Sequence, residues 1–194
     1  MEKTMKILCL LGSPRPHGNS ASIATGFLET AEKLGAEIRT FALNRLNYRG
    51  CQSCLICKTK LDHCVLKDDL TEVLDSVFWA DTLVIATPIY YTDVPGQLKC
   101  FIDRTYSFLK PDYITNRFAS RLEPGKKFVL IITQKQLPDR FADVPKRYAS
   151  IMKWYGFTES HIIRATDVGF ETTLAELEPY LHQAEETARK IISG

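Results

Sequence analysis

The chain lacks a long apolar run and lacks any run of one charge. Near the N-terminus, residues 7–12 make an apolar stretch of only about six residues, and Pro14, Arg15 and Pro16 follow at once. Neither a signal peptide nor a membrane-spanning helix is therefore expected. The 25 Lys and Arg are balanced by 23 Asp and Glu, a formal net charge of +2 with the signs mixed along the chain. This argues against a nucleic-acid or membrane surface. Internal repeats, low-complexity segments and Ser/Gly-rich or Pro-rich linkers are also missing, so residues 1–194 are expected to form a single domain. A domain of that size buries roughly 70% of its unfolded surface and needs no disulfide staples. A cytoplasmic protein with reduced thiols is the expectation, which leaves the six cysteines available for chemistry. Four of them crowd between 51 and 64; Cys9 and Cys100 sit in apolar patterns and read as core thiols.

What is present is an alternation. Residues 5–11, MKILCLL, read as a strand buried on both faces. Residues 20–34 place Ile23, Phe27, Leu28, Ala31 and Leu34 at helical spacing, with Asn19 or Ser20 as the cap and Gly35 closing the helix. Further strands are expected over 37–43, 82–87, 127–133 and 161–166, and helices over 69–79, 96–106, 139–155 and 172–192. Strands alternating with helices need crossover connections, hence an α/β three-layer sandwich with a five-stranded parallel sheet, expected in the order 2-1-3-4-5. Ligands of such sheets bind beyond the carboxyl ends of the strands, so the loops after Leu11, Thr87 and Thr133 should converge.

The first of these loops, GSPRPHGNS at 12–20, gathers backbone N–H groups, a helix N-terminus, the hydroxyls of Ser13 and Ser20, the Asn19 amide and the Arg15 guanidinium. Gly12 and Gly18 let the backbone turn and approach closely. The Lys and third Gly of the two common nucleotide fingerprints are missing, so a single phosphate is the guest this loop suits, with a plain surface turn as the competing reading. After the third strand, Pro88 directs the chain off the sheet and Ile89, Tyr90 and Tyr91 follow. Two aromatics at a strand end suit a planar heteroaromatic ring, or else they pack under the next helix.

GSPRPHGNS, ATPIYY at 86–91 with GQLK at 96–99 and FIDR at 101–104, and ITQ at 132–134 resemble the NADPH-dependent FMN reductase family of flavodoxin-like proteins over nearly the whole chain. The resemblance implies FMN, with its phosphate in the loop of Ser13, Arg15, Gly18, Asn19 and Ser20. It implies an isoalloxazine beside Pro88, Ile89, Tyr90 and Tyr91, with Thr133 and Gln134 on the other side. Lys135 is a departure, since many relatives have Gly there. A homodimer or homotetramer is also implied, and the aromatic connection 106–127 is a candidate cover for a neighbouring subunit's flavin or a locally packed loop. Lys99 and Arg104 fit a helix and interface role.

Within a cysteine-rich loop at 44–68, Cys51, Cys54 and Cys57 form C-x2-C-x2-C, and Cys64 follows after six residues. Three evenly spaced cysteines can wrap one face of a cubane and a fourth completes the ligand set. Zinc, thiols cycling through a disulfide, and a site that no longer binds iron compete with this, although zinc favours two separated knuckles. The arrangement resembles the iron-sulfur flavoproteins of the family, which implies a [4Fe-4S] cluster. The expected function is electron transfer through FMN and the cluster, between a donor such as ferredoxin or NAD(P)H and a small-molecule acceptor. An NAD(P)H-dependent FMN or quinone reductase using FMN alone is the alternative, and a non-catalytic FMN-binding or zinc-stabilised module the third. No protein side chain is assigned as catalytic, the chemistry belonging to the cofactors.

Overall fold

The computed structural model describes residues 4–193. Five strands form one parallel sheet, β1 (Lys6–Leu11), β2 (Glu37–Ala42), β3 (Thr82–Pro88), β4 (Lys126–Thr133) and β5 (Phe157–Ala165), in the order β2-β1-β3-β4-β5. This is the expected topology. Alternate residues of each strand face opposite sides, so β1 sends Leu8 and Leu10 into one core and Ile7 and Cys9 into the other. The first core is closed by α3 (Leu70–Trp79), α4 (Gly96–Arg104) and α5 (Asp143–Trp154) through Val73, Val77, Phe101 and Met152. The second is closed by α1 (Asn19–Lys33) and α6 (Leu174–Ser193) through Ile23, Phe27, Ala184 and Ala188. β3 is buried at all seven positions, which is why its sequence is apolar without alternation. Among the described residues no helix is long and apolar enough to cross a membrane.

Boundaries differ from the sequence reading where polar residues hide an element. β5 begins at Phe157, ahead of the apolar segment, because Phe157 is buried with its ring 6.1 Å from that of Phe128 while the polar residues after it lie on an edge strand. α5 begins at Asp143, not 139, after a left-handed Phe141 (φ 57°) that cannot continue a helix. Neither Asn19 nor Ser20 caps α1: the N-cap is Gly18, and among the described residues no side chain caps the N–H groups of the first turn. One helical turn, α2 (Ile56–Thr59), lies in the cysteine-rich loop, and a 3-10 turn follows α4 at Thr105–Phe108.

Gly12 leaves β1 with its N–H bonded to the carbonyl of Ala86, 2.8 Å away. A Cβ there would stand 3.0 Å from Thr87 Oγ1 and 3.1 Å from Leu98 Cδ2. Gly12→Ala is accordingly expected to cost about 1–3 kcal/mol through overpacking, read by thermal unfolding; an unchanged Tm would mean that Leu98 yields freely.

Candidate functional site

The loops after β1, β3 and β4 converge on one depression. Ser13, Arg15, Gly18, Asn19 and Ser20 line it from the first loop, Pro88, Ile89 and Tyr90 from the second, Thr133 and Gln134 from the third. Lys135 and the segment after β5, Val168, Gly169 and Phe170, complete the wall. Arg15 and Lys135 are the charged members of that lining, with no carboxylate among them. Ser13 Oγ accepts the Arg15 N–H at 3.1 Å and folds the loop over itself, and the Asn19 amide donates to the Gly169 carbonyl at 2.8 Å, joining the first loop to the last. The Arg15 guanidinium lies 3.9 Å over the ring of Phe170, which is itself exposed. With α1 lacking a side-chain cap, its first-turn N–H groups remain available to an anion at this end.

Tyr91 is the expected residue that does not join the lining; it stands 99% exposed. The cause is a tight turn. Tyr90 N–H donates to the Asp93 carbonyl and Asp93 N–H to that of Tyr90, so Tyr91 (φ 52°) and Thr92 (φ 111°) occupy two positive-φ positions where Asn-Gly would be ordinary. Such strain persists only when surroundings enforce it. Asp93 does so, accepting from Tyr148 Oη at 2.8 Å, Arg147 Nη1 at 2.7 Å and the Val94 N–H at 2.7 Å. Partial burial opposes the charged carboxylate, but these donors outweigh it and hold Asp93 below the ordinary carboxylate range. Gln134 is also locked: its side-chain NH2 donates to the carbonyls of Gln136, Leu137 and Arg140, and its Oε1 accepts from Arg164 at 3.0 Å. Its contribution to the depression is a wall, not a free amide.

A second, smaller pocket is lined by Cys51, Cys54, Cys57 and Cys64 together, all free thiols, with Leu55, Leu66, Arg104, Tyr106 and Ser107. Among the described residues no group of three or more His, Cys, Asp or Glu is placed to hold a metal ion. Ser53 (φ 50°) and Leu55 (φ 57°) are left-handed, one between Cys51 and Cys54 and one between Cys54 and Cys57, reversing the chain between successive thiols. The base of the loop is clamped by Arg104, which is 1% exposed. Its Nη1 donates to both Asp68 oxygens at 2.7 Å and to the Arg49 carbonyl at 3.3 Å, and its Nη2 to the Leu66 carbonyl at 3.2 Å. Asp68 in turn accepts the N–H groups of Arg49 and Leu70. Partial burial opposes its charge, yet Arg104 and the N–H donors keep its carboxyl below the ordinary range. The connection after α4 packs onto the same loop: Lys58 Nζ donates to the carbonyls of Tyr106 and Leu109, both at 2.6 Å, and Arg121 Nη2 to that of Cys57 at 3.1 Å.

A sequence model of the NADPH-dependent FMN reductase family matches residues 5–133, about two thirds of the chain. The chain belongs to that family. An iron-sulfur flavoprotein of Methanocaldococcus jannaschii is 38% identical over 123 residues, 62% of each chain. One of Methanosarcina thermophila is 31% identical over 122 residues, 62% of this chain and 63% of the relative. The matched stretch thus covers less than two thirds of these relatives' lengths. In fold, the chain is similar to an FMN-dependent NADH-azoreductase of Bacillus anthracis solved with FMN (TM-score 0.76, 16% identity, 97% of this chain and all of the other). It is similar too to an NAD(P)H:quinone oxidoreductase of Methanothermobacter marburgensis (TM-score 0.76, 18% identity, 97% and 98% covered).

The residues of this FMN reductase family member fit FMN in one respect that geometry decides: an uncapped 15-residue helix, a guanidinium and two buried serines meet where a phosphate needs donors, with no carboxylate to repel it. The cysteine pocket offers a thiolate-type donor set, and it holds a buried polar atom without a partner, Arg104 Nε. Sequence reasoning missed Val168 to Phe170, whose only signal was their place after the fifth strand. It also misplaced Arg104: no interface residue, it is buried beside the cysteines. The FIDR helix ends beneath the loop, but nothing in its own sequence marks which loop that would be. Cys9 is the core thiol expected, fully buried and pushed up to about 12 by desolvation, whereas Cys100 is only partly buried.

Proposed function

We propose that this protein is an FMN-dependent oxidoreductase of the iron-sulfur flavoprotein type. FMN would sit in the depression of Ser13, Arg15, Gly18, Asn19, Ser20, Pro88, Ile89, Tyr90, Thr133 and Gln134, and a [4Fe-4S] cluster on Cys51, Cys54, Cys57 and Cys64. The observation that carries the reading is that one family member presents two such pockets, with all four cysteines lining the second. When bound, FMN supplies exchange of electron pairs with NAD(P)H or a small acceptor and of single electrons with the cluster. The chain's own part is to bind and orient. Arg15 and the α1 N-terminus would neutralise the phosphate, and the Tyr90–Asp93 turn would fix the part of the wall that Tyr90 supplies to the ring. The buried Thr133 backbone carbonyl accepts the Ile89 N–H at 2.8 Å, locking the second and third loops to each other. Ferredoxin as donor fits the single-electron side of this reading, and a homodimer or homotetramer would cover exposed Ile114 and Phe118.

Arg15→Ala removes a charge-assisted donor worth about 1.5–3 kcal/mol, so FMN binding is expected to weaken by about 10- to 150-fold while riboflavin, which has no phosphate, changes little. Flavin-fluorescence titration measures both; equal losses for the two flavins would contradict a phosphate role. Turnover tests the activity. Anaerobic oxidation of NADH or NADPH with quinones and with a one-electron protein carrier as acceptors is expected, and no oxidation of either across these acceptors would count against the reductase side of the proposal.

A further inference from the structure

The buried guanidinium of Arg104 has a surplus donor. Its Nη1 and Nη2 are committed to Asp68, Arg49 and Leu66 at the two ends of the cysteine loop, while Nε–H meets no acceptor among the described residues. The group cannot turn to find one, because a planar fork held at Nη1 and Nη2 fixes the direction of Nε. Ser107, which lines the same pocket, donates its hydroxyl hydrogen to the Arg104 carbonyl at 3.0 Å and makes no hydrogen bond with Nε. Unpartnered buried donors are rare in native proteins and call for an explanation such as an ion or ligand at the site. Arg104 lines the pocket that the four cysteines line.

We propose that Arg104 Nε–H donates to a sulfur of the cluster, a sulfide or a cysteine thiolate, and raises its reduction potential. The inference rests on the cluster reading of this pocket. One electron enters, no bond forms or breaks, and the proton stays on Nε because a guanidinium does not deprotonate in proteins. The added negative charge would fall on sulfur atoms beside the N–H dipole of an Arg104 that is itself 1% exposed, so the reduced state is favoured. Asp68 neutralises the guanidinium at long range and leaves the local donor in place. Arg104 is thereby a positioning residue for the loop and a tuning residue for the cluster.

Protein carrying 15N at arginine Nε, purified anaerobically and reduced, is the test, with pulsed electron paramagnetic resonance as the readout. A 15N coupling to the reduced cluster is expected in the wild type. In Arg104→Lys it should vanish, with the reduced form disfavoured by about tenfold, about 59 mV for one electron. Should Arg104→Lys not fold, Asp68→Asn weakens the clamp but keeps Nε–H, and its 15N coupling should persist; its disappearance, or a wild type with iron and sulfide but no coupling, overturns the inference. Absence of iron and sulfide from the anaerobic protein overturns the cluster reading itself, and the metal assay tells the two failures apart.

Discussion

Arg104→Ala is expected to lower the unfolding free energy by about 3–5 kcal/mol, the loss found when one partner of a buried ion pair is removed and the other stays. The partner left behind is Asp68, whose side chain is 16% exposed, so partial rehydration should hold the loss near the lower end. That is a large share of the about 5–15 kcal/mol of a typical domain. The damage is predicted to begin at the cysteine loop, because Arg49, Leu66 and Asp68 are released together. Denaturant unfolding gives the magnitude, and hydrogen exchange should show residues 49–68 losing protection before the sheet does. A loss below about 1 kcal/mol, as for an exposed pair, would mean that the clamp is not cooperative. The pair also carries a pH signature. Asp68 is held below its ordinary range, so its stabilisation is complete above about pH 4, the unfolded carboxylate value, and is lost as pH falls through the lower folded value. Asp68→Asn should flatten that acid limb.

Replacing Cys51, Cys54, Cys57 and Cys64 together by alanine is expected to remove all iron and sulfide and leave FMN bound. The two pockets share no lining residue, and the loops around the depression proposed for FMN are braced by Asp93, Tyr148, Gln134 and Arg164, none of which belongs to the cysteine loop. Reduction of a one-electron protein carrier should fall to background, while NAD(P)H oxidation with a quinone, which needs only an exposed flavin face, should survive. Equal rates with the carrier before and after replacement would show that the cysteines lie outside the electron path. Loss of FMN along with iron would instead mean that the two sites fold as one.

The parallel sheet and its order were legible because a buried strand such as β4 is apolar without a break from Phe128 to Ile132 and each strand is followed by a helical period. The edge was harder. The first half of β5, Thr158 to Ser160, is polar, since an edge strand exposes much of its length, and only Phe157 anchors it. The residues that line the depression were readable as motifs in three loops, yet the part each plays in its wall was not. Tyr90 and Tyr91 look alike in sequence, and a two-residue turn with positive φ at Tyr91 puts one at the wall and the other in solvent. Gln134 reads as a free amide until the carbonyls of its own loop are seen to consume it. Arg104 was least legible, because its partners lie 36 to 55 residues away and a basic residue in the last turn of an amphipathic helix ordinarily faces water.

One chain holding both FMN and an iron-sulfur cluster is the centre of this account. Anaerobic purification followed by assay of flavin, iron, acid-labile sulfide and zinc per chain tests it most directly. The prediction is FMN together with about four iron and about four sulfide, and no zinc. Flavin with zinc, or flavin with no metal at all, would contradict it.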